Sequence, residues 1–243
     1  MSFVNMKGNT AENEFIDLYI QANSSNGLEI IVLLEELGVQ YCIYRVHHIE
    51  EIEEERLRFM DIHSHLPILT DVHPDGQRFR IQETGAIAQY LIAHYDASRT
   101  LSYPPLSAED IEVNNWLFFL TSRLGPNHEE AVHFFEAPEK IPYGTSHFVD
   151  KTMQLYLILE RHLQKSGTLY MVNNKCTVAD IVHVPYVAGA KSAGIAIEQF
   201  PALECWYGRM ARRPAIAKGF GMLKQHESGH SNGARPLESS RTE

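Results

Sequence analysis

Residues 79–95 read FRIQETGAIAQYLIAHY, and this stretch decides the fold. A short apolar run ends at Glu83 and Thr84, and side chains then recur at the spacing of one helix face, at Ile87, Tyr90, Leu91 and His94. Thr84 stands where a helix N-cap belongs, because its hydroxyl can accept a hydrogen bond from the first turn. The stretch therefore predicts a strand that runs directly into a helix.

The predicted start of this helix has the chemistry of a binding site. The first backbone N–H groups of a helix have no partner within it, and the helix dipole favours negative charge at that end. A ligand carboxylate could dock on these N–H groups and on the Thr84 hydroxyl, and an ammonium could dock on Glu83. Together the two residues suit the head group of an amino acid. The alternative interpretation is a capped helix that serves only the core.

The composition narrows the class of protein. The chain has 243 residues, of which 44% are hydrophobic and 21% charged, and this is an ordinary globular balance. The formal net charge of −10 argues against a nucleic-acid partner or an anionic membrane surface. No apolar run reaches the length of about 20 residues that spans a membrane, and the polar N-terminus does not resemble a secretory signal. Three widely separated cysteines predict a reducing compartment, and we expect a cytoplasmic protein.

Upstream of the deciding stretch, the pattern predicts a strand–helix–strand unit and then a hairpin. Residues 15–20 (FIDLYI) and 41–46 (YCIYRV) are typical of strands, and the intervening helix keeps the helical period at Ile30, Leu33, Leu34 and Leu37 before it ends at Gly38. A helical crossover implies that the two strands are parallel. Pro74-Asp75-Gly76 predicts a turn between strands at 68–72 and 79–81.

The rest of the chain is predicted to be helical, with no strand signal past residue 106. Gly125-Pro126 and the prolines at 138 and 142 read as interruptions, and Thr177 with Asp180 has the form of an N-cap motif. We therefore expect a flexible leader at 1–14, an α/β domain at 15–96, a linker at 97–108, an all-helical domain at 109–224 and a disordered tail at 225–243.

Pro67 adds a second feature to the predicted site. If the Leu66–Pro67 bond is cis, the chain turns there and leaves the N–H and C=O of Leu66 free to pair with the backbone of a bound peptide, as an added strand would. The alternative is an ordinary edge-strand proline.

These motifs together resemble the soluble glutathione S-transferase superfamily. Four matches occur in order over residues 15–222: Asn26-Gly27 before LLEELG, Leu66-Pro67-Ile68-Leu69, Glu83-Thr84, and Thr177-Val178-Ala179-Asp180. The stretches WLFFLTSRLGP at 116–126 and APEKIPY at 137–143 further resemble a fungal branch. That branch includes the transferase-like part of the yeast nitrogen-regulation prion protein and transferases of secondary-metabolite clusters such as the gliotoxin and pseurotin pathways.

The resemblance implies a thioredoxin-like first domain with a mixed four-stranded sheet that binds glutathione, followed by an all-helical domain. Glu83 would hold the γ-glutamyl ammonium, Thr84 the adjacent carboxylate, and Leu66, with Pro67, the cysteinyl backbone. His65 stands where the family often has a cation near the glycyl carboxylate, and a neutral histidine would hold it less firmly. His63 stands where many members have asparagine.

Catalysis in this family is activation of the glutathione thiol, whose charged form a hydrogen bond would favour. Ser24 aligns best with the family's hydroxyl and Asn26 with its amide, and Ser25 is a close rival to Ser24. The alternative is that these three residues only cap the first helix, where Asn26 with Glu29 three residues on resembles a capping pair.

The acceptor pocket in this family borders the first long helix of the second domain, and this places Trp116, Phe119, Arg123 and His128 as candidates. His133 lies on the same element. No group of residues has the spacing of a zinc site, so we expect glutathione as co-substrate or cofactor and no metal.

Three functions remain open at this stage. The first is a glutathione transferase that attacks an electrophilic, hydrophobic small molecule such as a fungal secondary-metabolite intermediate. The second is a glutathione-dependent cis-trans isomerase that adds the thiol reversibly to a conjugated alkene. The third is a non-catalytic binding or regulatory protein. The resemblance also implies a homodimer.

Overall fold

The computed structural model describes residues 16–21, 24–46, 66–73, 75–224 and 237–238. The strands are β1 (Ile16–Gln21), β2 (Tyr41–Val46), β3 (Ile68–Val72), β4 (Arg78–Gln82) and β5 (Leu237–Glu238). The α-helices are α1 (Ser25–Leu37), α2 (Thr84–Tyr95), α3 (Ala108–Phe119), α4 (Gly125–Glu136), α5 (Pro142–Ser166), α6 (Val178–Ala188), α7 (Pro201–Met210) and α8 (Pro214–Lys224). A π-helical turn (Leu120–Leu124) joins α3 to α4, and a 3₁₀ turn (Ile197–Gln199) precedes α7.

The sheet is mixed and has the strand order β4-β3-β1-β2-β5. β1 is parallel to β2, as the helical crossover predicts, and is antiparallel to β3, which in turn pairs antiparallel with β4. The predicted fold class, a four-stranded mixed sheet followed by helices, is therefore confirmed. One expectation is wrong: two residues of the tail predicted to be disordered form β5, which pairs antiparallel with the edge of β2. A two-residue strand carries too little sequence pattern to be detected.

Helix α1 lies at the centre of the core. The predicted face of Ile30, Leu33 and Leu34 is buried, and so are Ile31 and Val32. Burial on all sides follows because α1 contacts α6 and α8 as well as the helix α2 and the strand β1. An unbroken apolar run such as residues 30–34 is typical of a helix that is buried on every side.

Contrary to the prediction, the Gly125-Pro126 pair does not interrupt the helix. The π-helical turn before it widens the backbone, and the Gly125 N–H donates to the Leu120 carbonyl five residues back. Side chains satisfy carbonyl groups around the turn: Asn127 Nδ2 donates to the Arg123 oxygen at 2.7 Å. Helices α3 and α4 therefore run as one continuous element.

The predicted N-cap motif of α6 is confirmed. Asp180 is fully buried and accepts hydrogen bonds from the backbone N–H of Thr177 at 3.0 Å and of Met171 at 2.9 Å. The indole of Trp206 donates to the same carboxylate at 2.8 Å. Thr177 Oγ1 also donates to it, so four donor groups from three residues bind this one carboxylate. Among the described residues, no helix combines the length and apolarity that crossing a bilayer requires.

Candidate functional site

The junction of β4 and α2 forms one side of the site. Glu83, rather than Thr84, is the N-cap of α2, with φ of 67° and ψ of 121°. Thr84 is the first helical residue, so the expectation that it caps the helix is wrong by one position. A positive φ is costly for a residue with a side chain and is often found at functional sites. The exposed Glu83 side chain makes no capping bond and is available to a ligand beside the first turn of α2.

The Leu66–Pro67 bond is cis, and it lies beside this junction. The register of β3 with β4 pairs Ile68 with Gln82, and this places Leu66 and Pro67 next to the start of α2. The ladders of β3 with β1 and β4 both end at Ile68, so neither ladder uses the backbone groups of Leu66. His63 and His65, the other two residues predicted here, lie outside the described residues.

The loop from β1 to α1 supplies the predicted hydroxyl. Ser24 is the N-cap of α1 by its extended backbone, and its carbonyl accepts from the Leu28 N–H at 3.0 Å. Its side chain makes no capping hydrogen bond, so the hydroxyl is not bonded to the first turn of α1. Ser25 is the first residue of α1 and is half-buried.

Asn26 lies within the first turn of α1 and joins the sheet region to the helical region. Its Nδ2 donates to Glu129 Oε1 of α4 at 2.7 Å, and its Oδ1 accepts from the Tyr186 hydroxyl of α6 at 2.5 Å. Because both bonds fix the carboxamide, its orientation is determined by residues far along the chain. The idea that Asn26 forms a capping pair with Glu29 is wrong, since the asparagine lies inside the helix and its side chain points to the other region.

Glu29 lies one turn further along α1 and is 1% exposed. Burial raises the pKa of its carboxyl to about 8, and this effect outweighs the hydroxyl groups of Thr84 and Tyr186, which lower the pKa. Nearby Glu129 raises it further. Within the described ranges, Oε2 of this carboxyl has no hydrogen-bond partner. Glu29 therefore connects the Thr84 side of the site to the Asn26 side.

Sequence reasoning missed Glu29, Glu129 and Tyr186 as members of the site. Glu29 carried a signal, because an acid within the apolar run GLEIIVLL must be either exposed or specifically accommodated. The other two carried none, since their proximity to Asn26 depends on how α4 and α6 pack against α1.

Three of the four acceptor candidates lie together. Trp116 packs edge-on against Phe119 with ring centroids 5.4 Å apart, and the Arg123 guanidinium lies 5.5 Å from the Phe119 ring centre. Trp116 also contacts the ring of His162 at 4.5 Å, and Phe119 stacks on His183 at 6.3 Å. Trp116 and Phe119 are half-buried and Arg123 is exposed.

His128 does not join this group. It is 2% exposed and packs edge-on against Tyr186 with ring centroids 5.5 Å apart, so it contacts the interior rather than an open surface. Burial lowers the pKa of His128 to about 4, so the ring is neutral at pH 7. The expectation that His128 contacts an acceptor is therefore corrected, because the π-helical turn rotates α4 and directs this residue inward. His133 is exposed near the end of α4.

Comparisons with known proteins agree with the fold. A profile described as "Glutathione S-transferase, C-terminal domain" matches residues 128–218. The chain is 26% identical over 206 residues to the "Glutathione S-transferase-like protein tpcF" of Aspergillus fumigatus, covering 80% of this chain and 90% of that protein. It is also 26% identical to the "Transcriptional regulator URE2" of Saccharomyces cerevisiae, covering 83% of this chain and 66% of that protein.

A solved structure gives a higher identity. The glutathione transferase homolog of Lodderomyces elongisporus, crystallised with two glutathione molecules per subunit, superimposes with a TM-score of 0.78 at 30% identity. The match covers 86% of this chain and 99% of that one. The likeness thus includes both the sheet region and the helical region.

Proposed function

Because this chain belongs to the glutathione S-transferase family, we propose that it binds glutathione beside the start of α2 and activates the thiol for attack on an electrophilic small molecule. The observation that supports this most directly is the meeting of three separate segments. Leu66, the Glu83–Thr84 junction and Asn26 come together through the register of β3 with β4 and through Glu29, which faces both Thr84 and Tyr186.

The proposed pose follows the groups that are free to bind. The Glu83 carboxylate would hold the γ-glutamyl ammonium, and the Thr84 hydroxyl with the first N–H groups of α2 would hold the carboxylate beside it. The backbone of Leu66 would pair with the cysteinyl residue. His65 and His63 remain candidates for the glycyl end.

The sulfur would then face the end of the β1–α1 loop. A free thiol has a pKa of about 8.5, so a donor aimed at the sulfur increases the thiolate fraction near neutral pH. Asn26 Nδ2 carries two hydrogens and gives one to Glu129, which leaves the second for the sulfur. Ser24, whose hydroxyl does not cap α1, is the other donor, and Ser25 is its rival.

The acceptor would lie against the aromatic group of α3. Trp116 and Phe119 offer apolar ring surface, and exposed Arg123 offers a donor to a polar substituent. A secondary-metabolite intermediate is proposed as the acceptor class because residues 116–126 and 137–143 resemble transferases of secondary-metabolite clusters.

Two alternatives use the same glutathione site. An isomerase would return glutathione unchanged, whereas a transferase consumes it, so the glutathione balance of the reaction separates them. A regulatory protein, which the similarity to the yeast transcriptional regulator supports, would bind glutathione without lowering the pKa of its thiol.

A homodimer is also proposed, and light scattering tests it. Ile111 and Phe118 of α3, each 53% exposed, are apolar surface that a partner subunit could cover.

Retention on immobilised glutathione tests the binding site. We expect the wild type to be retained and Glu83→Ala to be lost, whereas Glu139→Ala, an exposed acid away from the site, should behave as the wild type. Equal retention of the wild type and Glu83→Ala would contradict the assignment.

Turnover of Ser24→Ala, Ser25→Ala and Asn26→Ala then identifies the residue that contacts the sulfur, since loss of that donor should lower turnover more than glutathione affinity.

A further inference from the structure

The two hydrogen bonds on the Asn26 side chain fix which of its ends faces which neighbour. Glu129 Oε1 lies 2.7 Å from Asn26 Nδ2, and a carboxylate can only accept, so the NH2 end of the carboxamide faces α4. The oxygen end then faces α6, where the Tyr186 hydroxyl donates to Oδ1 at 2.5 Å. A hydroxyl can donate to an amide oxygen or accept from an NH2 group, so Tyr186 alone would allow either orientation. Glu129 therefore selects the orientation, and Tyr186 reinforces it.

The charge of Glu129 disfavours the reverse orientation. Burial raises the pKa of the Glu129 carboxyl, and the hydrogen bond from Asn26 lowers it, because an N–H donor stabilises the charged form. The neighbouring Glu130 raises the pKa as well. If the carboxamide were reversed, Asn26 Oδ1 would face the carboxylate, and two acceptors would meet without a proton between them. The observed orientation is thus the one that satisfies both groups.

Tyr186 is held so that its hydroxyl has a fixed position. The residue is 2% exposed, and its ring packs edge-on against His128 with ring centroids 5.5 Å apart. Its backbone carbonyl accepts a hydrogen bond from the Tyr156 hydroxyl at 2.7 Å. The start of α4 also contacts the hydroxyl, since a Cβ added at Gly125 would lie 3.4 Å from the Tyr186 oxygen. The donor that meets Asn26 Oδ1 is therefore in place before any ligand binds.

One hydrogen of the carboxamide is left over. The bond to Glu129 uses one of the two hydrogens on Asn26 Nδ2, and among the described residues no other group accepts the second. We propose that Glu129 and Tyr186 are positioning residues, which hold the carboxamide so that this second N–H, rather than Oδ1, faces the glutathione sulfur. The contact with the sulfur rests on the proposed function, whereas the orientation of the carboxamide does not.

The orientation of the carboxamide decides the direction in which the thiol pKa moves. An N–H aimed at the sulfur stabilises the thiolate and lowers the pKa of the thiol. A carbonyl oxygen in the same place would accept from the S–H group and stabilise the neutral thiol, so the pKa would rise. A carboxamide that rotates freely would present both ends in turn. Loss of either contact should therefore weaken thiol activation although Asn26 itself is still present.

The first test needs no glutathione. The Asn26 Nδ2 proton that bonds Glu129, identified by its absence in Asn26→Ala, should resonate downfield of an exposed asparagine amide in NMR spectra. Glu129→Leu removes the acceptor and should move this proton upfield, whereas Glu129→Gln keeps an amide oxygen there and should retain most of the downfield shift. Glu130→Leu, at the neighbouring exposed acid, is the matched control and should leave the proton unchanged. An unchanged proton in Glu129→Leu would overturn the proposal.

The second test measures the thiolate fraction of bound glutathione from its ultraviolet absorbance across pH. Glu129→Leu and Glu129→Gln remove the same charge, so the difference between them reports the hydrogen bond alone. We expect the thiolate fraction near neutral pH to be about tenfold smaller in Glu129→Leu than in Glu129→Gln, as for one hydrogen bond that acts on a charged group. Tyr186→Phe, which keeps the ring and loses the donor, should also lower the thiolate fraction relative to the wild type. Glutathione affinity should stay close to that of the wild type, because Glu83 and Thr84 hold the head group.

The outcomes distinguish this proposal from the proposed function. If the wild type does not bind glutathione, or binds it without lowering the pKa of its thiol, the proposed function fails and the sulfur contact fails with it. The NMR shifts of the Asn26 amide still decide the orientation of the carboxamide in that case. If the wild type lowers the thiol pKa, but Glu129→Leu matches Glu129→Gln and Tyr186→Phe matches the wild type, the proposed function stands and the positioning role fails.

Discussion

Burial of Glu29 predicts a specific dependence of stability on pH. Its pKa is about 8 in the folded protein and 4.5 in its ordinary state. Between these values the folded state keeps a proton that the unfolded state has lost, so the free energy of unfolding falls as the pH rises, by about 1.4 kcal/mol per pH unit. The difference of 8 − 4.5 = 3.5 corresponds to about 5 kcal/mol in total. Below pH 4.5 both states are protonated and this loss vanishes.

Glu29→Gln isolates this contribution because glutamine has a similar shape and does not titrate. The free energy of unfolding of the variant, minus that of the wild type, should rise by about 4 kcal/mol between pH 5 and pH 8. Urea denaturation at each pH gives both values, and an unchanged m-value shows that the same unfolding is compared. Glu139→Gln, at an exposed position, is the matched control and should give a flat difference. A difference for Glu29→Gln that also stays flat from pH 5 to pH 8 would refute the reasoning, because it would mean that Glu29 is charged in the folded protein.

Three further outcomes follow from the packing. Burial lowers the pKa of His183 to about 4 from 6.5, so the free energy of unfolding of the wild type should fall by about 3 kcal/mol as the pH falls from 6.5 to 4. Urea denaturation of His183→Phe should not show this fall, because phenylalanine does not titrate. Gly27→Ala should destabilise by about 1–3 kcal/mol because the new Cβ would lie 2.9 Å from the Ile20 side chain, whereas Gly208→Ala, with open space around it, should be neutral or stabilising by up to about 1 kcal/mol in thermal unfolding. Asp180→Ala should destabilise by about 3–5 kcal/mol, since it leaves buried donors unsatisfied, and a loss below about 1 kcal/mol would contradict the cap assignment.

The parts of the fold set by local chemistry were predictable. The helix start after Glu83, the crossover between β1 and β2, and the motif at Thr177 each depend on a few adjacent residues, and each lies where the sequence places it to within one position. The sequence could indicate only that the Leu66–Pro67 bond can be cis, because a proline allows the cis form without requiring it.

The parts set by distant packing were not predictable. Asn26 meets Glu129 and Tyr186 because α4 and α6 both pack beside α1, and no spacing in the sequence encodes that contact. His128 was misplaced for the same reason, since the direction of α4 depends on a π-helical turn that one extra residue creates. The capping role assigned to Glu29 followed a correct spacing rule, but the helix begins before Asn26 rather than after it.

That extra residue has a consequence for how this chain tolerates length changes. Each residue of an α-helix advances the direction of side chains by about 100°. Removal of one residue within Leu120–Leu124 would restore ordinary helical winding and turn all of α4 by that angle relative to α3. Glu129 would no longer be within hydrogen-bond distance of Asn26. A residue with a bulkier side chain would replace Gly125 at the position that lies close to the Tyr186 ring. A single-codon deletion here would therefore harm the molecule by misdirecting twelve residues rather than by loosening a loop.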